Sequence, residues 1–113
     1  MADNNGAKIT HGSVATTAET SYLTERVNQI AVINKHASQT LGVRVYTADS
    51  AAAAKALADA TDAVEAADEN WHIPAVGARR VVFKSPRATF VALSVIGSGS
   101  ATTYCVEGTN WLD

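Results

Sequence analysis

Cysteine is almost missing from this chain of 113 residues: the one it has, Cys105, stands inside a strand-like run. A single thiol excludes an intramolecular disulfide and any metal site built on two cysteines, and a small buried hydrophobe is the usual fate of such a residue. Aromatic rings are scarce, 6% of the residues, which leaves two tryptophans and three tyrosines for any surface that recognises a ligand by stacking. An excess of one charge is missing as well. Nine basic and 11 acidic side chains are interspersed and leave a net charge of −2, with no basic field for a phosphate backbone and no acidic tail. Nucleic acid is therefore not expected as a direct partner. No run approaches the roughly 18 apolar residues of a membrane span, and the start "MADNNGAKITHGSVATTAET" lacks the basic and apolar segments of a signal peptide. Synthesis in a cytoplasm, with no membrane partner, is the expectation.

What is present is architecture. With 47% apolar side chains the chain can build one domain with a real core. Residues 1 to 26 are rich in Ala, Thr, Asn and Ser and poor in large apolar groups at first, which predicts an extended N-terminal arm ahead of a single domain over 27 to 113. "TERVNQIAVIN" is dense in β-branched residues, with Ile30 and Val32 on one face and Val27, Ala31 and Ile33 on the other, so a strand covered on both sides is predicted. "LGVRVYT" alternates, with Leu41, Val43 and Val45 inward and Arg44 and Tyr46 outward, and should pair with the preceding strand as a hairpin.

The alanine-rich stretch from about Ala51 to Ala67 is the only convincing helix, capped by Asp49 or Ser50. Its apolar stripe reads Ala53, Leu57, Ala60, Val64 and Ala67. Beyond it, Trp71 and Ile73 share a strand face, Pro74 to Gly77 supplies a turn or bulge, and "VVFK", "TFVALSVI" and "ATTYCVEG" read as three strands joined by "SPRA" and a "GSGS" hairpin turn. Seven or so short strands with one inserted helix predict a mainly β fold, an antiparallel β-sandwich or partial barrel.

Catalytic patterns are not found. His11, His36 and His72 are far apart and lack metal-ligand spacing, no serine sits in a nucleophile elbow, and "GSGS" precedes a strand where a phosphate loop would precede a helix. The helix carboxylates Asp59, Asp62, Glu65, Asp68 and Glu69 read as a solvated face. Neither a metal nor a cofactor is expected, and an enzyme is the least favoured class. Candidate contact residues remain. Arg79, Arg80 and Lys84 lie near Arg87, either as a basic patch for an acidic partner or as the charged side of an edge strand. Tyr22, Leu23 and Arg26 end the arm. Trp111 and Leu112 near the end of the chain either fold back on the sandwich or dock on a neighbouring subunit.

From Gln29 to Gly108 the chain resembles a loose group of small virion proteins of tailed bacteriophages, through "IAVIN…LGVRVYT", "HIPAVGARRVVF" and "TFVALSVIGSGSATTYCVEG". The alanine-rich helix departs from that pattern, which has a short loop there. The resemblance implies a β-sandwich structural protein, foremost a capsid decoration or cement protein that stabilises the outside of the capsid. Its partners would then be the major capsid protein and sister copies of itself, with threefold association the common arrangement. A tail, connector or fibre-associated protein is the second reading, and a carbohydrate-binding β-sandwich module the third.

Overall fold

A computed structural model describes residues 3–60, 71–82, 89–99 and 101–110 of the chain. The elements run β1 (Asp3–Gly6), β2 (Ile9–Val14), β3 (Glu19–Leu23), β4 (Gln29–Asn34), β5 (Leu41–Ala48), α1 (Ala51–Asp59), β6 (Trp71–Ile73), β7 (Ala78–Val82), β8 (Phe90–Gly97) and β9 (Thr102–Thr109). They form a sandwich of a five-stranded sheet, in the order β1-β3-β8-β5-β6, and a four-stranded sheet, in the order β2-β9-β4-β7. Every described pairing is antiparallel except β1 with β3.

Strand alternation decides what lies between the sheets. Leu41, Val43, Val91, Leu93 and Val95 of the first sheet meet Val14, Ile30, Val32, Tyr104 and Val106 of the second, all at 1% exposure or less. The β8 sequence is apolar on both faces because both are used. Val91, Leu93 and Val95 fill the core, while Phe90 and Ala92 turn outward to pack with Ala54 and Ala58 of α1. Ser50 caps that helix, its hydroxyl accepting from the Ala53 amide at 3.1 Å. On the other side of the sandwich Gly108 lies where a Cβ would meet Val27 Cγ1 at 2.5 Å and Leu23 Cδ1 at 2.7 Å, so only glycine lets β9 pass this close to the core.

Several expectations are corrected. Residues 3–23 are not a detached arm: β2 pairs with β9, β3 pairs with β8, and Leu23 is wholly buried. Small polar residues suffice there because the ladder satisfies their backbone groups and only Thr10, Val14, Ala18, Thr20, Ser21 and Leu23 need burying. Strands β4 and β5 do not form a hairpin, nor do β8 and β9; in each case the connection crosses from one sheet to the other. Val27 faces the core with Ile30 and Val32, and no described element packs on the outer side of β4. The helix buries Ala54 and Ala58, leaving Leu57 at 47% exposure and Ala53 and Ala60 exposed, because only methyl-sized groups fit against Tyr22, Tyr46 and Ala92. Its predicted continuation over 61–67, the carboxylates from Asp62 to Glu69, the strand end at Phe83 and Lys84, and "SPRA" lie outside the described residues.

Candidate functional site

The lateral side formed by β5, β6 and β7 brings the half-buried rings of Trp71 and Tyr46 together with Arg44 and Arg79. Strand β6 is only three residues long and pairs Val43 with Trp71, Gly42 with His72 and Leu41 with Ile73. Alternation sends Ile73 into the core at 2% exposure and leans the half-buried Trp71 on the rim of the same core. Opposite, on the edge of the other sheet, Arg79 is paired in register with the buried Val32, so it leaves β7 on the side that faces the first sheet. Its guanidinium stacks over the Trp71 ring at 4.5 Å from the centroid and so joins the two sheet edges. An exposed cation–π contact of this kind is worth about 0.5–1 kcal/mol. Beside it, Trp71 closes one end of a groove of about 250 Å³ lined also by Val43, Arg44, Val45 and Tyr46.

The β6–β7 connection is held rigidly. The Gly77 amide donates to the Pro74 carbonyl at 2.9 Å, closing a four-residue turn whose third residue, Val76, has φ 59° and is 76% exposed. A β-branched residue is rare in this left-handed region, which costs roughly 1–2 kcal/mol. Asn34 pins the turn from below. Its wholly buried amide nitrogen lies within hydrogen-bond reach of the Gln39, Ile73 and Pro74 carbonyls at 2.7, 3.0 and 3.2 Å, and its oxygen accepts from the His36 amide at 3.0 Å. His36 Nδ1 in turn accepts from the Ser38 and Gln39 amides, both at 3.0 Å.

The predicted contact residues scatter. Arg79 and Arg80 both lie on β7, but alternation sends Arg79 toward Trp71 and Arg80 to the outer face. Arg26 stacks over Phe90 at 4.7 Å and donates to the Asp49 carbonyl at 3.2 Å, tying the entry to α1. Tyr22 is half-buried against the helix alanines, and Leu23 is core and therefore not a surface contact. Arg87, Trp111 and Leu112 lie outside the described residues. Neither the Asn34 clamp nor the Val76 strain was anticipated; an asparagine ending an apolar strand ahead of a histidine-bearing loop was the available signal for the first.

Elsewhere the polar groups serve the fold. Asp59 at the end of α1 accepts from Lys55 Nζ and from Thr20 Oγ1, each at 2.5 Å. Burial alone would raise this carboxyl, but the Lys55 and Thr20 hydrogen bonds together outweigh it and hold it below its ordinary value. Glu19, at the start of β3, is pushed up by burial. Burial also raises the Tyr104 phenol, whose oxygen accepts from Asn4 Nδ2 at 3.2 Å, and the Cys105 thiol, with Glu107 adding to the latter. Cys105 is free and buried. His11 on β2, His36 in the β4–β5 loop and His72 on β6 lie on separate elements, and no group of three or more potential metal ligands occurs among the described residues. No described helix is long and apolar enough to cross a membrane. In comparisons by sequence and by fold, no protein-family model, curated protein or solved structure matches the chain.

Proposed function

We propose that this chain is a non-enzymatic virion protein of a tailed phage that binds the outer surface of the capsid as a decoration or cement protein. The observation that carries the reading is where the described polar chemistry is invested. Arg79 on Trp71, Arg26 on Phe90, Asn34 across the β6–β7 turn and Asp59 between Lys55 and Thr20 all tie elements of the sandwich to one another. A cement protein acts as a stiff body repeated many times, so modest contacts multiply by avidity, and rigidity is what its side chains must supply. The resemblance from Gln29 to Gly108 supports the same assignment.

An antibody against the full chain, imaged by electron microscopy on purified phage particles, tests this. Regular labelling over the capsid, and capsids that resist heat less well without the protein, are expected. Label confined to the tail moves the assignment to a tail or connector component, and the absence of the protein from every particle refutes both.

One observation favours a different class. Trp71 and Tyr46 line the same groove with Arg44, an arrangement that suits a sugar ring stacked on an aromatic with a polar edge held by a cation. A glycan array probed with wild type and Trp71→Ala decides it: binding lost in the variant supports a carbohydrate-binding module, and no binding by wild type removes it.

A further inference from the structure

The outer face of the four-stranded sheet carries a charge pattern that is complementary to itself. Ladder registers set its rows: Ile9, Glu107, Ala31 and Arg80 lie side by side across β2, β9, β4 and β7, and the next row is His11, Cys105, Ile33 and Ala78. Alternation turns all eight away from the core, whose β4 and β9 members are Ile30, Val32, Tyr104 and Val106. The helix packs on β3, β5 and β8 of the other sheet, and no described element packs extensively here. Along the middle of this face Ala31 and Cys105 sit low, at 3% and 2% exposure, beside the half-exposed Ile33 and the exposed Ala78. Glu107 and Arg80 stand exposed on opposite sides of Ala31, and neither has an ion-pair partner among the described residues.

We propose that this face is a homodimer interface, in which two copies of the chain pack face to face about a two-fold axis running along β4. Such an axis exchanges the strands on either side of β4. It lays β9 of one copy over β7 of the other and so brings Glu107 of each copy against Arg80 of its mate, twice over. An axis across the strands at this row would instead oppose Glu107 to Glu107 and Arg80 to Arg80, which repulsion disfavours. The dimensions agree. Facing sheets pack about 10 Å apart, a gap that a glutamate and an arginine reaching from opposite sides can span, while the low Ala31 lets the centre close on Ile33. The result has the anatomy of a protein interface, an apolar strip rimmed by complementary charge. It is independent of where the protein acts, so the virion assignment can fail without it and it can fail without the virion assignment.

Sedimentation of the full chain over a concentration series, with Arg80→Glu, Glu107→Arg and the double reversal, tests the proposal. Wild type is expected to dimerise reversibly and to loosen as salt rises, as exposed ion pairs do. Each single reversal should weaken dimerisation by about tenfold or more, and the double reversal should restore it, since only the pairing, not either residue alone, is being read. Both positions are exposed, so far-UV circular dichroism should stay unchanged in all variants. A wild type that is monomeric throughout overturns the proposal, leaving the face to another partner or to solvent. Association that persists in the single reversals, or is not rescued in the double, overturns it equally, because another surface then makes the contact.

Discussion

At Val76 the chain keeps a valine where backbone geometry asks for glycine. The residue is 76% exposed, so its side chain gains little from packing, while its φ of 59° forces Cβ toward the neighbouring carbonyl. Substitution of Val76 by Gly should therefore stabilise the fold by about 0.5–1 kcal/mol, after allowing for the extra freedom glycine gives the unfolded chain. Urea denaturation reads the difference directly, and a loss of stability would show that the valine side chain is held by something that offsets its strain. Two carboxylates pull in opposite directions with pH. Asp59 is held below its ordinary value of 3.8, so it binds its proton less tightly folded than unfolded; its contribution is present above that value and fades as pH falls through the folded one. Its side chain is about one-third exposed, 34%, which limits the contribution to about 1 kcal/mol. Asp59→Asn should lose that amount at pH 7, and the difference from wild type should close once pH falls below the lowered folded value. Glu19 is raised above 4.5, so the folded state prefers it protonated and stability declines as pH climbs past that value; Glu19→Gln should remove this decline and be no less stable than wild type at pH 7.

Among the elements, α1 shows how far a sequence pattern reaches. Its alanines predict a helix capped by Asp49 or Ser50, and Ser50 is the one that caps it. Periodicity alone selects Leu57 as the buried anchor, because leucine is the largest apolar group in the turn. The sheet beneath decides otherwise. Tyr22, Tyr46 and Phe90 already fill the outer face of β3, β5 and β8, leaving clearance for methyl groups only, so the helix rotates to present Ala54 and Ala58. Ala58→Leu should then overpack the contact and cost about 1–3 kcal/mol, whereas Leu57→Ala should change stability by no more than about 0.5 kcal/mol. Thermal denaturation of the two variants distinguishes the faces. The same limit explains the strand errors. Alternation in "LGVRVYT" and the double-sided apolar run of "TFVALSVI" fix each strand's inward residues locally, but which strand lies beside which depends on contacts far apart in sequence. The short connections from β4 to β5 and from β8 to β9 join strands that are adjacent in sequence yet lie in opposite sheets. The groove at Trp71 was illegible for the same reason: Tyr46 and Trp71 are brought together by the β5–β6 register, which no local pattern encodes.

The whole molecule is closed by pairing its beginning with its end. Strand β2 runs the length of β9, from Ile9 with Glu107 to Val14 with Thr102, and β3 covers the edge of β8 that β5 does not. The Lys8 carbonyl accepts from the Gly108 amide, and the Gly97 amide donates to the Ala15 carbonyl, so the early chain also ties down the C-terminal ends of β8 and β9. A polar composition made this segment look like an arm because composition measures what a strand buries and says nothing of what its backbone pairs with. The two views predict opposite results for a chain starting at Thr24. If the segment were an arm, the remainder would keep its core and its cooperative transition. In the sandwich described here, the truncation removes Val14 and Leu23 from the core and strips β8 and β9 of an edge partner each, exposing their unpaired amides and carbonyls. Losing two large core side chains alone costs about 4–8 kcal/mol, comparable to the whole stability of a domain this size. The truncated chain should therefore lack a cooperative unfolding transition and tend to aggregate through the opened edges of β8 and β9. Supplying residues 1–23 as a separate peptide should recover part of the transition, because the strands it pairs with keep a second neighbour each, β8 on β5 and β9 on β4. A truncated protein that melts as sharply as the full chain would return residues 1–23 to the status of an arm.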